Sequence, residues 1–406
     1  KGAAALAAGA LAAVACPPLL RPARADEPDT FPGDAPKGQT WELWLKRGWA
    51  REARHYTKLD RAVACALCPN ACILNPGDRG RCRNRVNVDG LLYTLAYANP
   101  CALHVDPVEK KPLFHFLPGT RTFSLATAGC VLRCLNCQNW EISQRTPEET
   151  KDPRGDEFRL TPQRMDAFSA EEARRATLTP DDLAAVAAAL RCPSVAYTYS
   201  EPVAFYEYAL DSSRAVRAAG LRNILVTSGY ILPAPLIELA RWTDAAHVDL
   251  KGFDDAVYLK LNGGPLRPVL DALVTLRMTG VWVEIVNLIV PSYTDKPETI
   301  KRMCGWIADK MGPDVPLHFS RYRPAHKLRL PPTPLDALES ARAAARAAGL
   351  RYVYIGNVTG LKDAAVTACP KCRKPVVDRD LYALRALDLV DGKCRFCGEK
   401  VPGLWK

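Results

Sequence analysis

Eleven of the fifteen cysteines fall into three tight clusters, and this pattern constrains the chain more than any other feature. Cysteines two or three residues apart suit chelation, because one tight turn aims neighbouring sulfurs at a common centre. Disulfide frameworks are the competing use of so many thiols, but they belong to small domains that lack a core. This chain has 406 residues, 48% hydrophobic and 24% charged, which is enough to bury a core without covalent staples. The clusters therefore read as metal sites.

The three clusters differ in kind. Cys369-x2-Cys372 and Cys394-x2-Cys397, separated by 21 residues, form two knuckles that bring four thiolates into a tetrahedron. That pattern predicts a zinc-ribbon-like module holding Zn2+, with an iron centre of the same geometry as the alternative. Cys65, Cys68, Cys72 and Cys82 again supply four thiolates, with Gly77 and Gly80 letting the chain fold back around them. Spacing leaves zinc and an iron–sulfur cluster equally open there. The central group, Cys130-x3-Cys134-x2-Cys137, has no fourth cysteine nearby. Three thiolates on a [4Fe-4S] cluster leave one iron open. An open iron can chelate the amino and carboxylate groups of S-adenosylmethionine, and an electron from the cluster can then break the sulfonium–carbon bond.

Short β-rich stretches alternate with helical patterns along the middle of the chain. Strands are expected at 123–127, 195–199, 223–227, 247–251, 281–290, 317–320 and 352–355. Helices are expected at 181–190, 204–219, 235–242, 266–278, 297–310 and 334–348. Such alternation implies an α/β fold with parallel strands and crossover helices. A partial or nearly closed (β/α) barrel is the leading architecture and a doubly wound sheet the runner-up. Four regions follow: a signal-like segment over 1–25, an N-terminal four-cysteine region over 26–117, the barrel over 118–362 and the C-terminal module over 363–406. The polar stretch 144–177 is a lid or an exposed insertion, and its composition favours the insertion.

The three-cysteine loop after a candidate strand resembles that of radical S-adenosylmethionine enzymes. The segments VDPVEKKPLFHFLPG at 105–119, CQNWEIS at 137–143 and AYTYSEP at 196–202 resemble the radical enzyme of the AmmeMemoRadiSam system, which also encodes Memo-like and AMMECR1-like proteins. More distantly, the chain is similar to activases that install glycyl radicals. The resemblance covers about residues 50–406. It implies a radical-SAM barrel, reductive cleavage of S-adenosylmethionine to a 5′-deoxyadenosyl radical, and hydrogen abstraction from an unknown substrate such as a protein glycine. It also implies a low-potential electron donor and, as operon partners, the Memo-like and AMMECR1-like proteins.

Site residues follow on the same basis. Many such loops carry an aromatic residue before the third cysteine to pack near the adenine; this chain has Asn136 there. The resemblance implies that the turn at Tyr199, Ser200 and Glu201 receives the methionine ammonium, while a carboxylate at a helix start is the alternative role for Glu201. Strand alternation puts Asp249 and Lys251 on one face, and the activases carry a similar Asp-x-Lys that reaches the cofactor, with a satisfied internal ion pair as the alternative. Glu284 and Asn287 have opposite parity, so both cannot face inward on an unbulged strand. Asn287 is taken as an adenosine or carboxylate contact or as a partner for backbone groups, and His318 as a substrate or cofactor contact or a satisfied core histidine.

An iron–sulfur electron-transfer protein that cleaves nothing is the alternative function. The net charge of +11 allows an acidic partner. No long basic helix or stacking platform accompanies it, which argues against nucleic acid. Residues 2–16 form an apolar run that fits a signal peptide, with Ala23-Arg24-Ala25 as a cleavage site and Cys16 as a competing lipid-bearing position. Lys1-Gly2 resembles the end of a twin-arginine signal. Export or membrane tethering is expected, with a cytoplasmic protein as the alternative.

Overall fold

The apolar runs between the helical stretches all enter one eight-stranded sheet. The computed structural model describes residues 30–164, 169–361 and 363–406; the signal-like segment and Cys16 lie outside the described residues. In chain order the sheet strands are β1 (Ala102–Pro107), β2 (Arg121–Ala126), β3 (Ser194–Tyr197), β4 (Arg222–Thr227), β5 (Ala245–Asp249), β6 (Trp282–Ile289), β7 (Leu317–Arg321) and β8 (Val353–Gly356). Their spatial order is the same as their chain order. Strands β2 to β8 are parallel, and β1 pairs with β2 antiparallel over all six of its residues. A doubly wound sheet needs a switch point where strand order reverses, and this sheet has none.

The crossovers are α1 (Pro180–Ala189), α2 (Tyr206–Ala218), α3 (Pro233–Ala240), the pair α4 (Asp255–Asn262) and α5 (Arg267–Met278), α6 (Pro297–Lys310) and α7 (Leu335–Ala347). Their starts are written locally. Thr179 caps α1 by accepting from the Asp182 amide, with Pro180 in the first turn, where a missing N–H costs nothing. Right-handed crossovers in sequential order keep these helices on one face of the sheet. The main apolar core lies largely between them and the strands, including Phe123, Val195, Leu225, Val248, Ile285 and Phe319.

The other face is filled from its base by residues 108–119, which link β1 to β2. Val108, Leu113, Phe116 and Leu117 pack there against Ala196, Ile224 and Ala245. Glu284 accepts the Phe114 and His115 amides at 3.0 and 2.7 Å. The C-terminal module closes this plug from outside. The Leu404 carbonyl accepts the Leu117 amide at 2.7 Å and the Leu404 amide donates to the His115 carbonyl at 2.8 Å. Arg379 pairs with Glu109 at 3.6 Å, both side chains fully buried, and also donates to the Phe114 carbonyl.

The N-terminal module holds a five-stranded and a three-stranded antiparallel sheet, with Trp44 and Trp49 in its own small core. The described part of 144–177 straps onto this module. Arg79 pairs with Glu148 at 2.5 Å, Trp49 Nε1 donates to Thr177 Oγ1 at 2.9 Å, and the buried Lys151 ammonium donates to three carbonyls. Among the described residues, no helix is long and apolar enough to cross a membrane.

Candidate active site

Parallel strands bring their carboxy-terminal ends to one side of the sheet, the side where α/β proteins place their ligands. Cys130, Cys134 and Cys137 stand there on the loop after β2, all partly buried. Gly129 begins the loop with a left-handed φ of +90°, and its amide donates to the Ile142 carbonyl at 2.9 Å. The loop is pinned to the end of α4: Arg133 N donates to Asn262 O and Leu135 N to Leu261 O, each at 2.9 Å. The sulfurs have their own donors. Asn262 Nδ2 lies 3.3 Å from Cys134 Sγ, the Leu132 amide 3.4 Å from Cys130 Sγ, and Ser143 Oγ 3.1 Å from Cys137 Sγ.

Lys251 and Asp249 follow β5 into the same region. Lys251 Nζ donates to Asp249 Oδ2 at 2.8 Å, and His247 Nε2 meets Asp249 Oδ1 at 2.9 Å. Burial opposes charge on both members. The Lys251 ammonium and His247 outweigh it and hold the Asp249 carboxyl well below its usual range. Asp249 and the Cys134 thiolate likewise hold the Lys251 ammonium above its ordinary value. A cation thus stands permanently beside the cysteine loop. The series continues downward, because His247 Nδ1 bonds the Lys111 carbonyl in the basal segment. The Lys111 ammonium, pushed down to about 8 by burial, reaches Asp106 at 2.6 Å, and Asp106 also accepts from the Tyr199 hydroxyl.

The turn after β3 splits its roles. Tyr199 adopts φ +62°, accepts Asn139 Nδ2 on its carbonyl at 2.7 Å, and turns its hydroxyl down to Asp106. Ser200 Oγ is buried with no hydrogen-bond partner, and so is Asn136 Oδ1. Glu201 is fully engaged within the protein. It accepts Thr227 Oγ1 at 2.6 Å, the Ser228 amide at 2.8 Å, Ser228 Oγ at 2.6 Å and the Val203 amide at 3.3 Å. Burial pushes its carboxyl up while these donors oppose the rise. It acts as the carboxylate at a helix start and ties the ends of β3 and β4 together.

Asn287 and His318 do not join this group. In the β5–β6 register His247 lies opposite Glu284 and Asp249 opposite Val286. Glu284 therefore shares the inward face, and Asn287 stands on the other, its Nδ2 donating to the Leu250 carbonyl at 2.7 Å. His318 sits at the basal end of β7 and bonds Glu284 at 2.7 Å. Burial raises the Glu284 carboxyl, but His318, His115 and the Phe114 amide outweigh it and hold it at about 2. His318 is thus a satisfied interior histidine. His247, Asn262 and Ser143 are the residues the sequence reading passed over. For His247 the signal was present, two residues before Asp249 on the same face.

The C-terminal cysteines form a separate centre. Cys369 and Cys397 sulfurs lie 3.6 Å apart and Cys372 and Cys394 3.7 Å, with all four within 4.8 Å of one another. That geometry suits a single ion. The three central thiols, with buried unpaired oxygens from Ser200 and Asn136 and an ammonium beside them, fit a thiolate-bound cluster with a polar, carboxylate-bearing ligand. A cavity of about 460 Å3 opens beside β8, lined by Ser320, Gly356, Asn357, Tyr382 and Arg385 among others.

The chain is 41% identical over 355 residues to an uncharacterized protein of Methanocaldococcus jannaschii, covering 86% of this chain and 98% of that one. It is 30% identical over 101 residues to the pyruvate formate-lyase-activating enzyme of Clostridium pasteurianum, covering 25% of this chain and 42% of that enzyme. The crystal structure of a radical SAM methyltransferase from Sphaerobacter thermophilus aligns with a TM-score of 0.41 at 16% identity, over 60% of this chain and 69% of that one. Residues 124–307 match the radical SAM superfamily. The match runs from within β2, through all three loop cysteines and the Asp249–Lys251 pair, into α6, so that this part of the chain is a radical SAM domain.

Proposed function

We propose that this radical SAM enzyme abstracts a hydrogen atom from a polypeptide substrate, in the manner of an activase. When bound, the [4Fe-4S] cluster and S-adenosylmethionine supply a one-electron reductive cleavage that yields a 5′-deoxyadenosyl radical. The observation that carries the reading is the Lys251 ammonium, fixed by Asp249 beside Cys134 at the open end of the sheet. There it pairs with the methionine carboxylate of the ligand. Ser200 Oγ and Asn136 Oδ1, buried without partners, accept from its polar hydrogens. Glu201 holds the turn that presents Ser200. The sequential sheet curls as a partial barrel, and the C-terminal four-cysteine centre is a Zn2+ ribbon that seals its base.

The polypeptide substrate is supported by the partial identity to an activating enzyme. The basal segment 105–119 supports membership of the AmmeMemoRadiSam system, with Memo-like and AMMECR1-like proteins as partners and a low-potential donor as the electron source. The test uses anaerobically reconstituted protein with S-adenosylmethionine and dithionite. 5′-Deoxyadenosine is expected, and it disappears in Cys134→Ala. A fully loaded protein that makes none is an electron-transfer protein, and the proposal fails.

A further inference from the structure

Cys65, Cys68, Cys72 and Cys82 lie between 48 and 65 residues before Cys130 in sequence, yet they share a wall with its loop. All four are buried and line one cavity, together with Arg85 and Val131. Val131 lies between Cys130 and Cys134. Its carbonyl accepts Asn70 Nδ2, from within the N-terminal cysteine run, at 2.8 Å. Asn84, two residues after Cys82, donates to the Ala128 carbonyl at 2.6 Å. A Cβ on Gly129 would sit 2.5 Å from the Cys82 carbonyl oxygen. The two cysteine groups are thus in backbone contact.

The spacing of the sulfurs separates this site from the C-terminal one. Among the described residues, only Cys369, Cys372, Cys394 and Cys397 bring their ligand atoms within 4.8 Å of one another. The N-terminal four surround a common cavity at wider spacing, as a multinuclear centre requires and a single tetrahedral ion does not. Arg85 completes the surroundings. Its side chain is buried, donates to Cys65 Sγ at 3.4 Å and pairs with Glu207. Hydrogen bonds to cluster sulfurs are one of the ways a protein sets a reduction potential.

We infer that Cys65, Cys68, Cys72 and Cys82 hold a second [4Fe-4S] cluster, which relays electrons to the centre at Cys130, Cys134 and Cys137. The site itself stands on the geometry alone; the relay rests on the radical reading above. In the relay step one electron leaves a low-potential one-electron carrier, such as a reduced flavin or iron–sulfur protein. It passes through the N-terminal site and arrives at the central one. The carrier is oxidised, the central site is reduced, and no bond or proton changes at the N-terminal site.

The experiment compares full-length protein with the triple variant Cys130→Ala/Cys134→Ala/Cys137→Ala and with Cys68→Ser/Cys72→Ser, all reconstituted anaerobically. Iron, acid-labile sulfide and zinc are counted per chain. The parent is expected to hold roughly eight irons, and the triple variant to keep roughly four with matching sulfide. A triple variant with no iron and a second zinc overturns the site, whatever happens to the Cys68→Ser/Cys72→Ser protein on folding. For the relay, the reduced parent is expected to give a paramagnetic resonance spectrum broadened by coupling between two centres. A spectrum equal to the sum of the two variants places the centres too far apart and overturns the relay. Failure of the radical reading shows differently, as a parent with full iron that makes no 5′-deoxyadenosine.

Discussion

A methyl group on Gly129 would lie 2.4 Å from Asn84 Oδ1 and 2.5 Å from the Cys82 carbonyl, on a backbone held at φ +90°. Gly129→Ala is expected to cost at least about 1–3 kcal/mol from backbone strain alone and to lower the iron bound at the central loop. Thermal unfolding and iron content check both. Lys251 is a test of a different kind. Removing one charge-assisted bond to a carboxylate typically loses about 1.5–3 kcal/mol, so Lys251→Ala is expected to weaken S-adenosylmethionine binding by about tenfold or more. Titration calorimetry on the reconstituted protein measures this, and an unchanged affinity removes Lys251 from the site. Residues such as Cys130 and Lys251 were legible in sequence because spacing and parity are local properties. Asn287 was not. Both faces of β6 are buried, so the choice between Glu284 and Asn287 depends on the register with β5, which no single strand encodes.

At the scale of elements, the seven parallel strands and most of the crossover helices stand close to where apolar runs and turn residues put them. Strand β1 and the plug after it were not readable. Ala102–Pro107 alternates only weakly, and 108–119 reads as a loop rich in ionisable groups until its partners on β5, β6 and the C-terminal module are known. The plug gives the fold a defined acid response. Burial lowers His115 from 6.5 to about 4, and Glu284 is held at about 2 against its ordinary 4.5. In both cases the unfolded chain binds more protons, so stability is lost as pH falls, first from 6.5 towards 4 and then from 4.5 towards 2. Between pH 7 and 8 neither group makes the melting temperature depend on pH, and it is expected to drop below pH 6.5; a constant value down to pH 4 contradicts this. The Arg379–Glu109 pair offers a second check. Glu109→Ala strands a buried cation and is expected to cost about 3–5 kcal/mol, whereas adding Arg379→Met should restore much of it. Denaturant unfolding of the single and double variants measures the difference.

For the whole molecule, two cysteine modules flank one sheet and do different work. The N-terminal module walls the open end at the radical loop, and the C-terminal module seals the base. Removing the ion from Cys369, Cys372, Cys394 and Cys397 with a chelator is expected to lower the melting temperature by at least about 5 °C, because metal affinity is part of folding free energy. Calorimetry before and after chelation checks it. Sequence spacing marked out both cysteine modules but carried no information on where each docks, since docking is decided by contacts between distant segments. The dock at the base also orders events in time. The bond from Asn262 to Cys134 joins segments 128 residues apart, whereas the bond from His115 to the Pro402 carbonyl must wait for chain made 287 residues later. On a ribosome the open end can assemble while the base still lacks its seal, so the radical loop is built before the floor beneath it is closed.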